Sequence, residues 1–248
     1  PDVKWVGYSE NKILASYNRA LASCASPYVM ILNNDVQLMP LCLDPLLAIL
    51  KKDPDAFGVM PSIHADLPEE RVLRRLNGRF FHGHLGHVPL AEGAGGTLYL
   101  HGAAMMVDRL KFLALGGFDS LFFYQEDNDI SYRAWRKGWH CWFEPQSEVY
   151  HMGSQTTAKV HVGIIDRRAI KERANHYFVL KNIQSPLWLL NFSGWSVLKV
   201  LKMLVTFDLG RAWAWKETFL ALPELRRSRR LQPRISDDEV LRRVEALL

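Results

Sequence analysis

The segment Tyr28-Val-Met-Ile-Leu-Asn-Asn-Asp35 sets an unbroken apolar run directly against three polar residues. An uninterrupted run of this kind suits a strand buried on both faces, which requires a sheet covered by helices on each side. The flanking sequence supplies such helices. Ile13, Leu14, Tyr17 and Leu21 recur at helical spacing within "SENKILASYNRALASCA". Asp44 and Pro45 read as an N-cap and first helical position, with Lys51 and Lys52 in the last turn. "DRLKFLAL" reads as a helix closed by Gly116 and Gly117. "VKWVGY", "FGVM", "GTLYLHGAAMMV", "WHCWFEP" and "EVYHMG" read as strands or extended segments. Alternation of this kind predicts an α/β fold with a mostly parallel sheet flanked by helices. The 248 residues leave room for one such core and an appendage.

The polar stop carries chemistry. Ligands of open α/β sheets bind beyond the carboxyl ends of strands, which is where Asp35 falls. A carboxylate there can hold a divalent cation that neutralises phosphate, or it can form an Asx turn that ends the strand.

A second stretch, "FFYQEDNDISYRAWRKGW" from Phe122 to Trp139, crowds Glu126, Asp127 and Asp129 among aromatic rings. Glu126 and Asp127 fall in the first turn of a helix, whose positive end favours their ionised forms. Their mutual repulsion favours a retained proton, and that conflict tunes a carboxylate for base catalysis. Asp129 pairs with Arg133, four residues on, as an ordinary helix-surface contact. Tyr124 and Trp135 offer flat faces on which a sugar ring stacks, whereas Phe122 and Phe123 read as core.

"ILNNDV", "LHGAAMMVDR", "LGGFDSLFFYQEDNDISYRAWRKGW" and "EVYHMGSQT", in this order, resemble the motifs of family 2 glycosyltransferases. The similarity runs from about Asn11 to Thr157 and is nearest to rhamnosyltransferase-like enzymes of bacterial surface polysaccharide synthesis. It implies a GT-A-like fold, a nucleotide-diphosphate sugar donor, Mg²⁺ or Mn²⁺, and inversion at the anomeric carbon. Asp35 corresponds to the last acid of the family's DXD motif, with Asn34 beside it on the donor side and Asn33 where that motif often has an acid. Asp127 corresponds to the base, with Glu126 next to it, and His151 to a metal-holding histidine. Asn18 and Gly102 correspond to residues lining the donor. Relatives carry strands upstream of the matched region. The chain starts at Pro1 without a methionine, so the expectation is a piece of a longer enzyme that lacks part of the nucleotide pocket.

The formal charge of +5 concentrates between Arg211 and Arg234, where seven basic residues face two acidic ones. Just before it, "PLWLLNFSGWSVLKVLKMLVTF" approaches a membrane span in length, but Lys199 and Lys202 interrupt it. Two readings stand: an amphipathic helix on an anionic membrane surface with Trp188 and Phe192 inserted, or a helix packed on the catalytic domain. The chain therefore divides into a catalytic region, residues 1–180, and a helical basic region, residues 181–248. The arginines carry no interleaved aromatic residues, which argues against nucleic acid as a partner.

The three cysteines are scattered and form no CxxC pair, which fits a reducing setting on the cytoplasmic face of the membrane. His82 and His84 alternate as zinc ligands do, yet no cysteine or carboxylate nearby completes a site, and a polar hairpin over the acceptor cleft is the expectation. The alternatives are a sugar-nucleotide nucleotidyltransferase, which also places acids at strand ends, and a non-catalytic membrane-surface module.

Overall fold

The computed structural model describes residues 7, 9, 14–65, 74–152, 165–230 and 235–247. The expected strand "VKWVGY" apart from Gly7, the end of the "EVYHMGSQT" motif and Arg234 lie outside them.

Along the chain come α1 (Leu14–Ser23), β1 (Tyr28–Leu32), β2 (Val36–Leu38), α2 (Leu43–Lys52), β3 (Ala56–Ala65), the hairpin β4 (Leu76–Phe81) and β5 (His84–Pro89), and the short β6 (Gly95–Gly96). Next are β7 (Ala104–Asp108), α3 (Arg109–Ala114), α4 (Glu126–Arg136) and β8 (His140–His151). Four helices follow: α5 (Arg167–Asn182), α6 (Pro186–Thr206), α7 (Leu209–Arg230) and α8 (Asp237–Ala246).

The main sheet has the order β1-β7-β3-β8-β2, with β6 paired to β8. The α/β architecture is as expected, but among the described residues the sheet is mixed rather than mostly parallel. Only β3 and β8 pair in parallel, while β7 runs antiparallel between β1 and β3. The apolar run of β1 touches a core on each face but is only partly covered, with Ile31 alone buried, because β1 is the end strand of the sheet among the described residues. Alternate residues of β7 divide between the two cores: Met105 and Val107 join the core beneath α1, α3 and α4, whereas Ala104 and Met106 join the core beneath α2. Each large side chain buried in these layers contributes about 1.5–3 kcal/mol.

Local expectations hold at several ends. Asp108 caps α3 by accepting from the Lys111 amide at 2.9 Å, and Gly116 and Gly117 take left-handed backbone at φ 80 and 72° after it. Two expectations need correction. Helix α2 begins at Leu43 with Cys42 at its N-cap, so Asp44 sits in the first turn. "GTLYLHGAAMMV" is no single strand, because Thr97–Ala103 leaves the sheet between β6 and β7.

That irregular segment is pinned by one face of α4. Asp127, Ser131 and Trp135 recur every fourth residue. Asp127 Oδ2 accepts from the Gly102 amide at 2.9 Å, Ser131 Oγ accepts from the Leu100 amide at 3.0 Å, and Trp135 Nε1 donates to the Thr97 carbonyl at 3.0 Å. The strand is broken there because α4 takes over the hydrogen bonds that a ladder partner would supply.

Position 180 falls inside α5, which packs on both sides of it. Phe178 meets Tyr99 and Tyr132, while His176 meets Trp215 of α7. Helix α8 returns to the catalytic region: Asp237 accepts from Tyr132 Oη at 2.6 Å and from Arg136 Nη1 at 3.1 Å, and the Leu247 carbonyl accepts from the Gly96 amide.

Candidate active site

The site gathers where β1 ends, β7 begins and α4 starts. Leu32 pairs with Ala104, so the turn Asn33–Asp35 lies against the loop His101–Ala103. The Ala103 carbonyl accepts from the Asn33 amide at 2.9 Å, and the neighbouring Gly102 amide donates to Asp127. One short loop thus holds both the strand-end turn and the helix-start acid. Position 102 is tight, because a Cβ there would stand 3.3 Å from Asp127 Oδ2 and would press on the acid.

The strand-end turn joins Asp35 to His151, residues far apart in sequence. Val36 of β2 pairs with His151 of β8, which brings His151 Nε2 to 3.2 Å from Asp35 Oδ1. Both side chains are largely shielded, at 13 and 15% exposure. Among the described residues no third His, Cys, Asp or Glu completes a metal cluster with them. One carboxylate and one imidazole fit a divalent ion that keeps several waters and takes its remaining oxygens from a substrate diphosphate. Asn33 is half-buried and Asn34 exposed at the same turn.

The acid pair opens α4 from an unusual entry. Tyr124 and Gln125 both adopt left-handed backbone, at φ 73 and 64°. For a residue other than glycine this costs about 1–2 kcal/mol each. Gln125 is held there by a hydrogen bond from its Nε2 to Asn175 Oδ1 of α5. Burial, and then the charge of Asp127, push the Glu126 pKa up to about 7. Glu126 Oε2 and the Tyr124 hydroxyl are buried and have no hydrogen-bond partner among the described residues. A buried polar group without a partner calls for an explanation, and at the head of α4 a bound polar molecule supplies one. Tyr17 of α1 stands within electrostatic range: burial, and then the Glu126 charge, raise its pKa.

Several residues occupy other places than the sequence suggests. Trp135 is fully buried beneath the loop, with its indole N–H committed to Thr97, so no sugar can stack on it. The helical period sent it to the face that grips the loop, one turn beyond Ser131. Asp129 is no surface residue either. It is fully buried, pairing with Arg133 at 2.8 Å and Lys181 at 2.8 Å and accepting from Asn182 at 2.9 Å. Asn18 brackets the Phe118 backbone, accepting from its amide and donating to its carbonyl at 2.8 Å each. Its amide group is therefore spent on the Gly116–Phe118 turn. Tyr124 stays at the site. His82 occupies the β4–β5 turn with left-handed backbone and its ring 4.5 Å from Trp195.

His87 and His101 were not singled out as site residues by motif. His101 precedes Gly102, and its Nδ1 accepts from the Ala103 amide at 3.1 Å, shaping the loop. His87 on β5 sits 4.7 Å from the Tyr99 ring; desolvation lowers its pKa, and the Asp127 charge opposes the shift. Neither carries a local signal, because a hairpin distant in sequence brings His87 in.

Comparison with known proteins sets this layout among the glycosyltransferase domains. Residues 10–169 match the family described as "Glycosyltransferase like family 2", more than half of the chain, and the chain belongs to that family. It is 26% identical over 175 residues to the N-acetylglucosaminyl-diphospho-decaprenol L-rhamnosyltransferase of Mycobacterium tuberculosis, in strains CDC 1551 / Oshkosh and ATCC 25618 / H37Rv. That alignment takes in 62% of this chain and spans 57% of the relative's length. In structure the chain resembles GalNAc-T7, crystallised with UDP, GalNAc and Mn²⁺, with a TM-score of 0.50 at 16% identity over 68% of this chain and 36% of the other. This likeness bears out the GT-A-like fold.

Proposed function

We propose that the protein is an inverting glycosyltransferase that moves a sugar from a nucleotide-diphosphate donor to a hydroxyl of a glycan or lipid-linked acceptor in bacterial surface polysaccharide synthesis. One observation carries this reading. A half-buried acid pair, with Glu126 Oε2 and the Tyr124 hydroxyl unpartnered among the described residues, shares a single loop with the strand-end turn of Asp35. The rhamnosyltransferase relative, named for a diphospho-decaprenol-linked acceptor, supports the lipid-linked class.

In the proposed reaction the acceptor hydroxyl lies against Asp127. The Gly102 amide holds Oδ2 and the Asn128 amide holds Oδ1, so the carboxylate is oriented before substrate arrives. As the acceptor oxygen bonds to the anomeric carbon, its proton passes to Asp127, and the bond to the nucleoside diphosphate breaks on the opposite face. Glu126 and Tyr124 hydrogen-bond the acceptor sugar. Asp35 and His151 would hold Mg²⁺ or Mn²⁺, which offsets charge on the departing diphosphate.

We further propose that the protein works at the anionic, cytoplasmic surface of the cell membrane. Among the described residues no helix is long and apolar enough to cross a bilayer. Instead α6 exposes Leu187, Leu190, Val197, Leu198, Leu201 and Leu204 along one face. The inserting side chains differ from those expected. Trp188 stacks on Phe80 at 5.0 Å and Phe192 is buried against His176, so both face the body. Arg226 and Arg227 of α7 are exposed and add cations for anionic lipid.

The test is a screen of nucleotide sugars with Mn²⁺, read by released nucleoside diphosphate. Release that depends on an acceptor supports glycosyl transfer; pyrophosphate release points to nucleotidyl transfer and overturns it.

A further inference from the structure

Helices α5, α6 and α7 and the β4–β5 hairpin enclose an open cavity of about 500 Å³. Arg167, Arg168, Lys171, Lys199 and Arg211 line it, with Glu172 as the one lining carboxylate among the described residues. Glu172 is already engaged, since Arg211 Nε donates to its two oxygens at 3.0 and 3.1 Å. Arg168 reaches Asp208 at 3.0 Å. Lys171 and Lys199 have no ion-pair partner among the described residues, and the buried Nη1 of Arg211 has no hydrogen-bond acceptor among them, only a long ion pair to Asp208 Oδ2 at 3.6 Å. Burial lowers the pKa of Lys199; Glu172 opposes the shift and Arg211 adds to it. Cations crowded on a concave wall repel one another, and an anion that enters relieves the repulsion.

The cavity adjoins the acid pair. The Lys171 ammonium lies 5.5 Å from the centre of the Tyr124 ring, and Asn175 of the cavity wall bonds Gln125, the residue before Glu126. Strand β5 runs the same way: His84 lines the cavity and His87 feels the Asp127 charge. On its far side, α6 turns Lys199 inward and Val197, Leu198 and Leu201 outward. Proton acceptor, cationic cavity and apolar face therefore follow one another across the protein. A sugar carried on lipid through a diphosphate has the same three parts in the same order.

We propose that this cavity binds the phosphate groups of a lipid-diphosphate-linked acceptor, setting the sugar hydroxyl at Asp127 and the lipid along α6. The proposal rests on the acceptor class argued above, and it gives the cations around Lys171 and Lys199 a substrate role.

Calorimetric titration with a short-chain alkyl diphosphosugar tests it without relying on turnover. Lys171→Gln and Lys199→Gln are each expected to weaken binding about 10-fold or more, as loss of a charged hydrogen bond does. Lys171→Arg should retain most of it. The same sugar without its diphosphate should bind weakly and equally to all four proteins. Circular dichroism on each variant confirms the fold, and a Lys199→Met variant, uncharged and of similar length, replaces Lys199→Gln if that one unfolds. Unchanged affinity in the glutamine variants overturns the proposal. So does loss confined to phosphatidylglycerol vesicles, which makes the cavity a lipid headgroup site, or equal affinity for inorganic phosphate, which makes it a free phosphate site. Diphosphosugar binding without any glycosyl transfer upholds the cavity and removes the reaction.

Discussion

The Asp127 carboxylate accepts the Gly102 amide hydrogen bond at 2.9 Å, and that contact ties the start of α4 to the loop that also holds the Asn33–Asp35 turn. Asp127→Asn keeps an oxygen for Gly102 but cannot take the acceptor proton. We expect transfer to fall roughly 10²–10⁴-fold with little change in melting temperature. Turnover near wild type would remove Asp127 from the base role.

Glu126 supplies a pH signature. Folded Glu126 holds its proton up to about pH 7, whereas the unfolded side chain releases it near 4.5. The folded state therefore binds more protons between these values. Its contribution to stability is fully present below pH 4.5 and is lost as pH rises through 7, by about 3 kcal/mol. Denaturant titrations across this window should show Glu126→Gln losing less stability than wild type. The rate of transfer should inflect near pH 7, where Glu126 loses the proton it would donate to the acceptor sugar, and Glu126→Gln should abolish that inflection.

Asp129 should behave in the opposite manner to Asp127, two residues away. Asp129→Ala leaves the buried Arg133 without its carboxylate and Lys181 with Asp119 alone, which costs about 3–5 kcal/mol. Thermal unfolding measures this directly, and a melting temperature within a degree of wild type would contradict the buried network.

At the strand-end turn, Asp35→Ala and His151→Ala should each weaken Mn²⁺-dependent binding of nucleoside diphosphate about 10-fold or more. Titration with nucleoside diphosphate, with and without Mn²⁺, separates a metal role from direct donor contact. A loss of equal size in the absence of Mn²⁺ would favour direct contact.

Leu198 and Leu201 are 55 and 54% exposed on the outer face of α6. The double change Leu198→Gln and Leu201→Gln should remove most salt-resistant flotation with anionic vesicles, at roughly 1.5–3 kcal/mol per leucine. Arg226→Gln with Arg227→Gln should remove the salt-sensitive part instead.

Much of this protein is readable from short stretches alone. The apolar run ending at Asn33, the glycine pair closing α3 and the acids at the head of α4 declare themselves within a few residues. Each depends on local physics: side-chain periodicity, turn chemistry and the polarity of a helix end. The order of those stretches was enough to indicate the family.

Tertiary structure decided which equivalent residues do what. Trp135 and Tyr124 are both aromatic rings beside acids, but only packing told that one anchors the Thr97 carbonyl and the other keeps a free buried hydroxyl. Asp127 and Asp129 differ in role because Lys181 and Asn182 arrive from α5 to neutralise the second. Trp188 and Phe192 turn inward because the β4–β5 hairpin and α5 offer Phe80 and His176 as partners. Asp35 meets His151 through β2–β8 pairing, and the cationic cavity assembles from a hairpin and three helices. No local pattern encodes these contacts, because burial and long-range pairing are settled only when distant segments compete for the same space and the same charges.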